Sequence, residues 1–199
     1  MRPGADQQRH LFAYGSLVSP TSAERTLGRP VEPVALARLA GWRRRWSQIR
    51  DNLATEKTFA HAETGVVPPH CLGLNLERDP GGAGPNGVLL EVSAEELERL
   101  AIREIRYDRV EVTDGIASEV APRFDAVFAF TAKPRNFAPA PPPGAVILAA
   151  YARAVEAAFA ALGVGQLELF RATTGPMPVD AIEAVLVRDE IPAGNPREW

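Results

Sequence analysis

His10-Leu-Phe-Ala-Tyr-Gly-Ser-Leu17 near the N-terminus and Arg103-Glu-Ile-Arg-Tyr107 in mid-chain are the two stretches that decide the fold. The first is an aromatic and aliphatic run that breaks at Gly15-Ser16, the pattern of a buried strand entering a loop. Small residues at such a break leave backbone N–H groups uncovered, able to meet an anion or a carbonyl oxygen. An ordinary strand-to-helix turn has the same composition, and Ser19-Pro20 does follow as a hydroxyl cap with proline at the first helical position. A short helix to about Thr26 is expected. The second stretch follows Ser93-Ala-Glu-Glu96, a capping box, and Leu97, Leu100 and Ala101 at helical spacing. That helix is expected to end at Ile102 or Arg103, and a strand to run from Tyr107 to Val112. Glu104 therefore sits where helix gives way to strand, between Ile102 and Ile105. A carboxylate beside that much apolar side chain is desolvated and its pKa raised toward the range useful for acid and base work. The competing expectation is a solvated helix end, with Glu104 paired to Arg103 or Arg106.

Around these stretches, Val31 to Arg50 predicts one or two strands bending at Ala40-Gly41. Asp51 to Pro69 has no clear period and is expected to be a loop excursion, a candidate flap. His70 to Leu76 and Gly87 to Val92 predict a hairpin pair across the turn-rich segment Asp79 to Gly87. Asp125 to Thr131 is a further apolar strand. Proline-rich Asn136 to Gly144 is a stiff connector, and Ala145 to Leu162 predicts a long helix ended by Gly163. A short helix is expected over Gln166 to Thr173, then weak strand and turn signals.

The chain has 199 residues and a formal net charge of −3, with 46% hydrophobic and 24% charged residues, as ordered globular domains have. One domain spanning 1–199 is expected. No apolar stretch is long enough to span a bilayer, and Asp6 to Arg9 replaces an apolar signal core, so neither a membrane span nor a secretory signal is expected. Cys71 is the only cysteine, which excludes an intrachain disulfide and a cysteine-rich zinc site and points to the cytoplasm. His70-Cys71 lacks a third ligand at a standard spacing. Arg43-Arg44-Arg45 between Trp42 and Trp46 resembles a basic–aromatic stripe, but alternate strand residues point opposite ways and the net charge is negative. No nucleic-acid partner is expected; a clamp for a substrate carboxylate fits one of these arginines better. Ser16 as a nucleophile needs a base, with only His10, His61 and His70 to choose from.

Taken together, Phe12-Ala-Tyr-Gly-Ser-Leu17 and Arg103-Glu-Ile-Arg-Tyr107 resemble the paired marks of the gamma-glutamylcyclotransferases. Ala37 to Trp46 is similar to that family's aromatic and basic strand, Leu74 to Val92 to its central hairpin, and Tyr151 to a tyrosine that opens its long C-terminal helix. The resemblance covers about residues 10–163, with 164–199 an extension packed on it, and the R-E-x-x-Y form is nearest the branch acting on glutathione. It implies an α+β fold, a mixed β-barrel wrapped by helices, with no metal and no organic cofactor. It implies Glu104 as the catalytic group, and Tyr14, Gly15, Ser16, Leu17, Tyr107 and Tyr151 around a small-molecule γ-glutamyl substrate. The implied reaction closes the substrate's own α-amine onto its δ-carbonyl, giving 5-oxoproline and a free amine or peptide. An α-ammonium with a pKa of roughly 8 must first lose a proton, and the leaving nitrogen must gain one. One carboxylate can do both in turn. Where glutathione-acting relatives carry a His-Arg-Gly stretch, this chain reads Ile49-Arg50-Asp51-Asn52, so Arg50 and Asp51 are expected to meet the leaving half. A non-catalytic small-molecule or protein-binding module on the same barrel is the alternative.

Overall fold

The computed structural model describes residues 8–118 and 124–197; residues 1–7, 119–123 and 198–199, with both ends of the expected 1–199 unit, lie outside the described residues. The strands are β1 (Arg9–Ala13), β2 (Ala35–Leu39), β3 (Trp42–Asp51), β4 (Lys57–His61), β5 (His70–Arg78), β6 (Asn86–Val92), β7 (Tyr107–Glu111), β8 (Ile116–Ser118), β9 (Ala126–Ala132), β10 (Ala145–Leu148), β11 (Ala181–Ile182) and β12 (Ala184–Asp189). The α-helices are α1 (Pro20–Leu27), α2 (Ala94–Arg103), α3 (Ala149–Ala161) and α4 (Gln166–Ala172).

Strand β1 lies inside the largest sheet, ordered β7-β9-β1-β6-β2-β8, antiparallel to β6 and parallel to β9. A second sheet is ordered β11-β10-β5-β3, and β12 pairs with β4 in a third. Among the described residues no sheet closes on itself, so the implied barrel is instead a set of open sheets. The reason is visible at β7, whose Asp108, Arg109 and Glu111 are exposed and keep a solvated edge that does not invite a further strand. Side chains join the two larger sheets: Asn75 Oδ1 accepts from the Ala132 N–H at 2.7 Å, and the Tyr107 hydroxyl donates to the Leu74 carbonyl at 2.8 Å. One buried cluster runs from Leu11, Phe12 and Val127 through Leu74 and Ile147 to Val155 and Phe159. Each large side chain in it contributes about 1.5–3 kcal/mol by leaving water.

Local signals explain the helices near the site. Proline starts α1 at its first position, and Gly28, in the left-handed region at φ 75°, ends it by donating its N–H to the Glu24 carbonyl. The expected capping box on α2 forms, with the Ser93 hydroxyl accepting from Glu96 N–H and the Glu96 carboxylate accepting from Ser93 N–H.

Three expectations are corrected. His70–Leu76 and Gly87–Val92 are strands but not partners: β5 pairs with β3 and β10, β6 with β1 and β2. The turn-rich segment between them hands the chain from one sheet to another. The excursion 51–69 contains β4, which pairs with β12 more than a hundred residues away, so no local period marks it. Ala145–Leu148 is the strand β10, parallel to β5, because Val146 and Ile147 are β-branched residues placed beside a strand, and the helix begins only at Ala149.

Candidate active site

Two adjoining cavities gather Glu104 with Tyr14, Gly15, Ser16, Leu17, Tyr107 and Tyr151. The smaller, about 40 Å³, is walled by Tyr14, Gly15, Ser16 and Leu17 with Leu74 and Phe130. The larger, about 110 Å³, is walled by Gln48, Arg50, Glu56, Cys71, Gly73, Arg106 and Arg197. Ser16, Glu104, Tyr107 and Tyr151 line both.

After β1 the chain makes a single 3-10 turn, Ser16–Val18, closed by Val18 N–H donating to the Gly15 carbonyl at 3.0 Å. The amides of Ser16 and Leu17 open that turn with no backbone acceptor among the described residues. Buried Tyr14 pins the turn from behind by donating its hydroxyl to the Phe130 carbonyl at 2.6 Å, and its own carbonyl accepts from Arg44 Nη1 at 3.0 Å. A Cβ on Gly15 would stand 3.5 Å from the Tyr151 hydroxyl and 3.8 Å from Leu74 Cδ1, so hydrogen at this position leaves the cavity wall open.

Glu104 caps the C-terminus of α2, its N–H donating to the Leu100 carbonyl while its own carbonyl accepts from Tyr107 N–H. The raised pKa of one sequence expectation and the Arg103 pair of the other are both found, but the helix end is enclosed and not solvated. Arg103 Nε donates to Glu104 Oε1 at 3.1 Å, yet desolvation outweighs that cation and Arg106, and the carboxyl is raised above its ordinary value. The cause differs from the one inferred, because Ile102 and Ile105 are 50% and 39% exposed and face solvent. The cavity walls enclose the carboxylate instead, leaving 18% of its side chain exposed. Arg103 is itself buried; besides Glu104 it donates to the Ser22 carbonyl (2.9 Å), the Ser22 hydroxyl (2.9 Å), the Thr26 hydroxyl and the Ser16 hydroxyl (3.3 Å). Carboxylate and turn are thus fixed to each other through one guanidinium.

Leu74 stands between the two remaining tyrosines. Its carbonyl accepts from the Tyr107 hydroxyl at 2.8 Å, and its backbone acts to lower the Tyr151 phenol, whose ring stands edge-on to Trp46 with centroids 6.0 Å apart. Burial, reinforced by the nearby Glu104 carboxylate, raises all three site phenols above their ordinary value and keeps them neutral donors.

The arginine run resolves as strand alternation predicts. Arg43 and Arg45 lie outward on Glu77, at 2.8 and 3.3 Å, and Arg44 is wholly buried with its donors on Tyr14, Asn86, Phe170, Thr173 and Thr174. None of the three lines either cavity, so the expected carboxylate clamp does not fall on them. Arg50 does line the larger cavity, but Asp51 turns away, its carboxylate accepting from the N–H groups of Leu53 and Ala54. Cys71 is buried and also lines the larger cavity, and desolvation raises its thiol pKa. His10, His61 and His70 line neither cavity, which leaves Ser16 without a histidine base among the described residues. No three His, Cys, Asp or Glu side chains among the described residues group as a metal site requires.

Sequence reasoning missed Glu56 and Arg197. Glu56 accepts from Arg106 Nη2 at 2.7 Å and from Arg197 Nη2 at 2.5 Å. Burial acts to raise its carboxyl, but those two guanidiniums prevail and bring it down to about 2. Their separation along the chain is the reason no local signal marks them.

The fold and this two-part cavity define an α+β protein of the gamma-glutamylcyclotransferase-like fold. A solved gamma-glutamyl cyclotransferase superposes with a TM-score of 0.59 at 16% identity, covering 85% of this chain and 93% of that one. An uncharacterised protein from Homo sapiens superposes with a TM-score of 0.59 at 16% identity, covering 86% and 94%. YkqA from Bacillus subtilis reaches 0.56 at 18% identity, with 86% of this chain but 56% of that one covered. At these identities the likeness is one of fold. No protein-family profile matches the chain, and no curated protein matches it in sequence. No helix among the described residues is long and apolar enough to cross a membrane.

Proposed function

We propose that the chain is a gamma-glutamylcyclotransferase-like enzyme that converts a γ-glutamyl amide or peptide to 5-oxoproline and the free amine or peptide, with Glu104 as general base and then general acid. The observation that carries this is the position of Glu104 on the wall shared by the two cavities. The smaller, beside the 14–17 turn, suits the glutamyl half; the larger suits the leaving half; the scissile amide then lies at the carboxylate between them.

In that pose Glu104 takes a proton from the α-ammonium, and the freed amine attacks the δ-carbonyl carbon. A carbon–nitrogen bond forms as the ring closes, the ring nitrogen gives up a second proton, the original amide bond breaks, and the two protons leave on the departing nitrogen as an ammonium, the first of them passed by Glu104. Atoms balance with no water consumed. The amides of Ser16 and Leu17 and the neutral hydroxyl of Tyr151 supply fixed donors that hold the glutamyl half folded for attack. A raised carboxyl pKa suits both transfers, since a weakly basic carboxylate takes the ammonium proton poorly. The R-E-x-x-Y form supports the glutathione-acting branch as the first substrate class to try. Incubation with glutathione, γ-glutamyl dipeptides and γ-glutamyl amines, followed by mass detection of 5-oxoproline, tests the proposal. Binding without product would make the protein a binding module instead, and release of free glutamate would make it a hydrolase.

Two variants probe the glutamyl end. Gly15→Val sets a branched side chain beside the Tyr151 hydroxyl in the smaller cavity. The expected outcome is a folded protein that no longer binds γ-glutamyl ligands; unchanged calorimetric affinity would place the glutamyl half elsewhere. Tyr151→Phe should weaken all γ-glutamyl substrates by a similar factor, about tenfold for one bond to a charged group. A changed ranking across the substrate panel would assign Tyr151 to the leaving half.

A further inference from the structure

Among the charged groups of the larger cavity, Arg50 is the cation that no carboxylate of the described residues answers. Arg106 and Arg197 share Glu56, and Arg103 holds Glu104. Arg50, 7% exposed, reaches only neutral acceptors, donating from Nη2 to Asn52 Oδ1 at 3.2 Å and to Cys71 Sγ at 3.5 Å, while its guanidinium stacks 4.9 Å from the Phe59 ring centroid. Its Nε is enclosed and meets no acceptor among the described residues. A buried guanidinium with a donor left open is costly unless a ligand completes it. Arg44 shows the contrast, since its Nε, Nη1 and Nη2 are all met by protein acceptors.

We propose that Arg50 binds a carboxylate on the leaving half of the substrate, so that the preferred substrates are γ-glutamyl amino acids and peptides rather than γ-glutamyl amines. This rests on the cyclisation reading for which half is which. Arg50 lines only the larger cavity, away from the 14–17 turn, so the glutamyl half's own carboxylate is not its partner. Distances along β5 agree. Leu74, whose carbonyl holds the Tyr107 hydroxyl, lies three residues from Cys71, the cross-strand partner of Arg50, a span of about 10 Å along a strand. Gly73 lies between and keeps the floor open, for a Cβ there would stand 2.7 Å from Gln48 Oε1 and 3.6 Å from the Tyr107 hydroxyl. A leaving amino acid or dipeptide, at about 3.6 Å per residue, covers the part of that span the arginine side chain does not. Four cations against two carboxylates in the cavity wall, counting Arg50, Arg103, Arg106 and Arg197 against Glu56 and Glu104, favour an anionic guest.

γ-Glutamylglycine and γ-glutamylmethylamide share the glutamyl half and differ by one carboxylate. With the wild-type chain, 5-oxoproline release and calorimetric binding should both favour γ-glutamylglycine, by about tenfold to a hundredfold for a charge-assisted bond. In Arg50→Gln the ratio should fall to near one, and Arg50→Lys should restore part of it. A wild-type ratio near one overturns the proposal without recourse to any variant. So does an Arg50→Gln protein that loses both ligands in equal measure, since Arg50 would then serve the glutamyl half or the fold. If neither compound yields 5-oxoproline, the cyclisation reading falls and binding alone decides: an Arg50-dependent preference for γ-glutamylglycine keeps the carboxylate site, and equal binding removes it.

Discussion

Glu104→Gln should bind a γ-glutamyl ligand normally and turn it over about a hundredfold or more slowly, the scale of a lost general acid–base group. Glutamine keeps an oxygen for the Arg103 Nε bond and keeps the shape of the cavity wall, but it cannot shuttle a proton. Near-normal 5-oxoproline release from this variant would remove Glu104 from the mechanism. Wild-type pH dependence carries the same signature. In the proposed mechanism ionised Glu104 is the base, so activity should rise with pH through its pKa, and desolvation places that acidic limb above the ordinary 4.5. The limb should be absent from the residual activity of Glu104→Gln. Stability has the opposite sign. A carboxyl whose folded pKa is raised holds its proton more tightly folded than unfolded, so folding loses stability as pH rises from below 4.5 through the raised value. A neutral glutamine escapes that loss, and the variant should melt no lower than wild type at neutral pH.

The largest stability loss is expected at Arg44. Arg44→Ala should cost about 3–5 kcal/mol, the range for breaking a buried charged network, out of a typical total of about 5–15 kcal/mol. The side chain is wholly enclosed, its guanidinium stacked 4.1 Å from the Phe170 ring centroid and 4.9 Å from that of Phe159. It serves β1's exit at the Tyr14 carbonyl, β6 at Asn86, and the end of α4 at Phe170, Thr173 and Thr174. Removing it leaves those acceptors buried and unmet, a larger loss than the cavity alone. Burial lowers the guanidinium to about 9, still protonated at neutral pH, so the loss should not vary across the neutral range. Arg44→Met, which refills the volume without the donors, should recover only a minor part. Urea denaturation midpoints measure both, and a loss below about 1 kcal/mol, the size of an average substitution, would show that the network is dispensable.

What the sequence made legible follows the range of each signal. The capping box, the apolar spacing of α2 and the Gly15-Ser16 break act over a few residues, and they placed Glu104 and the 14–17 turn correctly. The electrostatic argument for Glu104 reached the right direction through the wrong neighbours, because Ile102 and Ile105 adjoin it in sequence while Tyr107, Tyr151 and Ser16 adjoin it in space. Arg50 and Asp51 were expected to act together, but successive strand residues part company, one into the cavity and one onto a turn. The pairing of β4 with β12 and the Glu56–Arg197 contact depend on partners more than a hundred residues distant, and nothing local encodes them.

The pairing of β4 with β12 also sets a timetable. A ribosome delivers residues in order, and β4 leaves it with no partner until roughly 120 further residues have been made. Strand β1 waits likewise for β9 on one side and β6 on the other, so its hydrogen-bonding edges stay open through much of translation. Arg197, which closes the cavity wall on Glu56, emerges later still. Half-made chains therefore carry Glu104 and the turn without the finished chamber around them. The unpaired strand edges of the nascent protein are what a chaperone at the tunnel exit would have to cover.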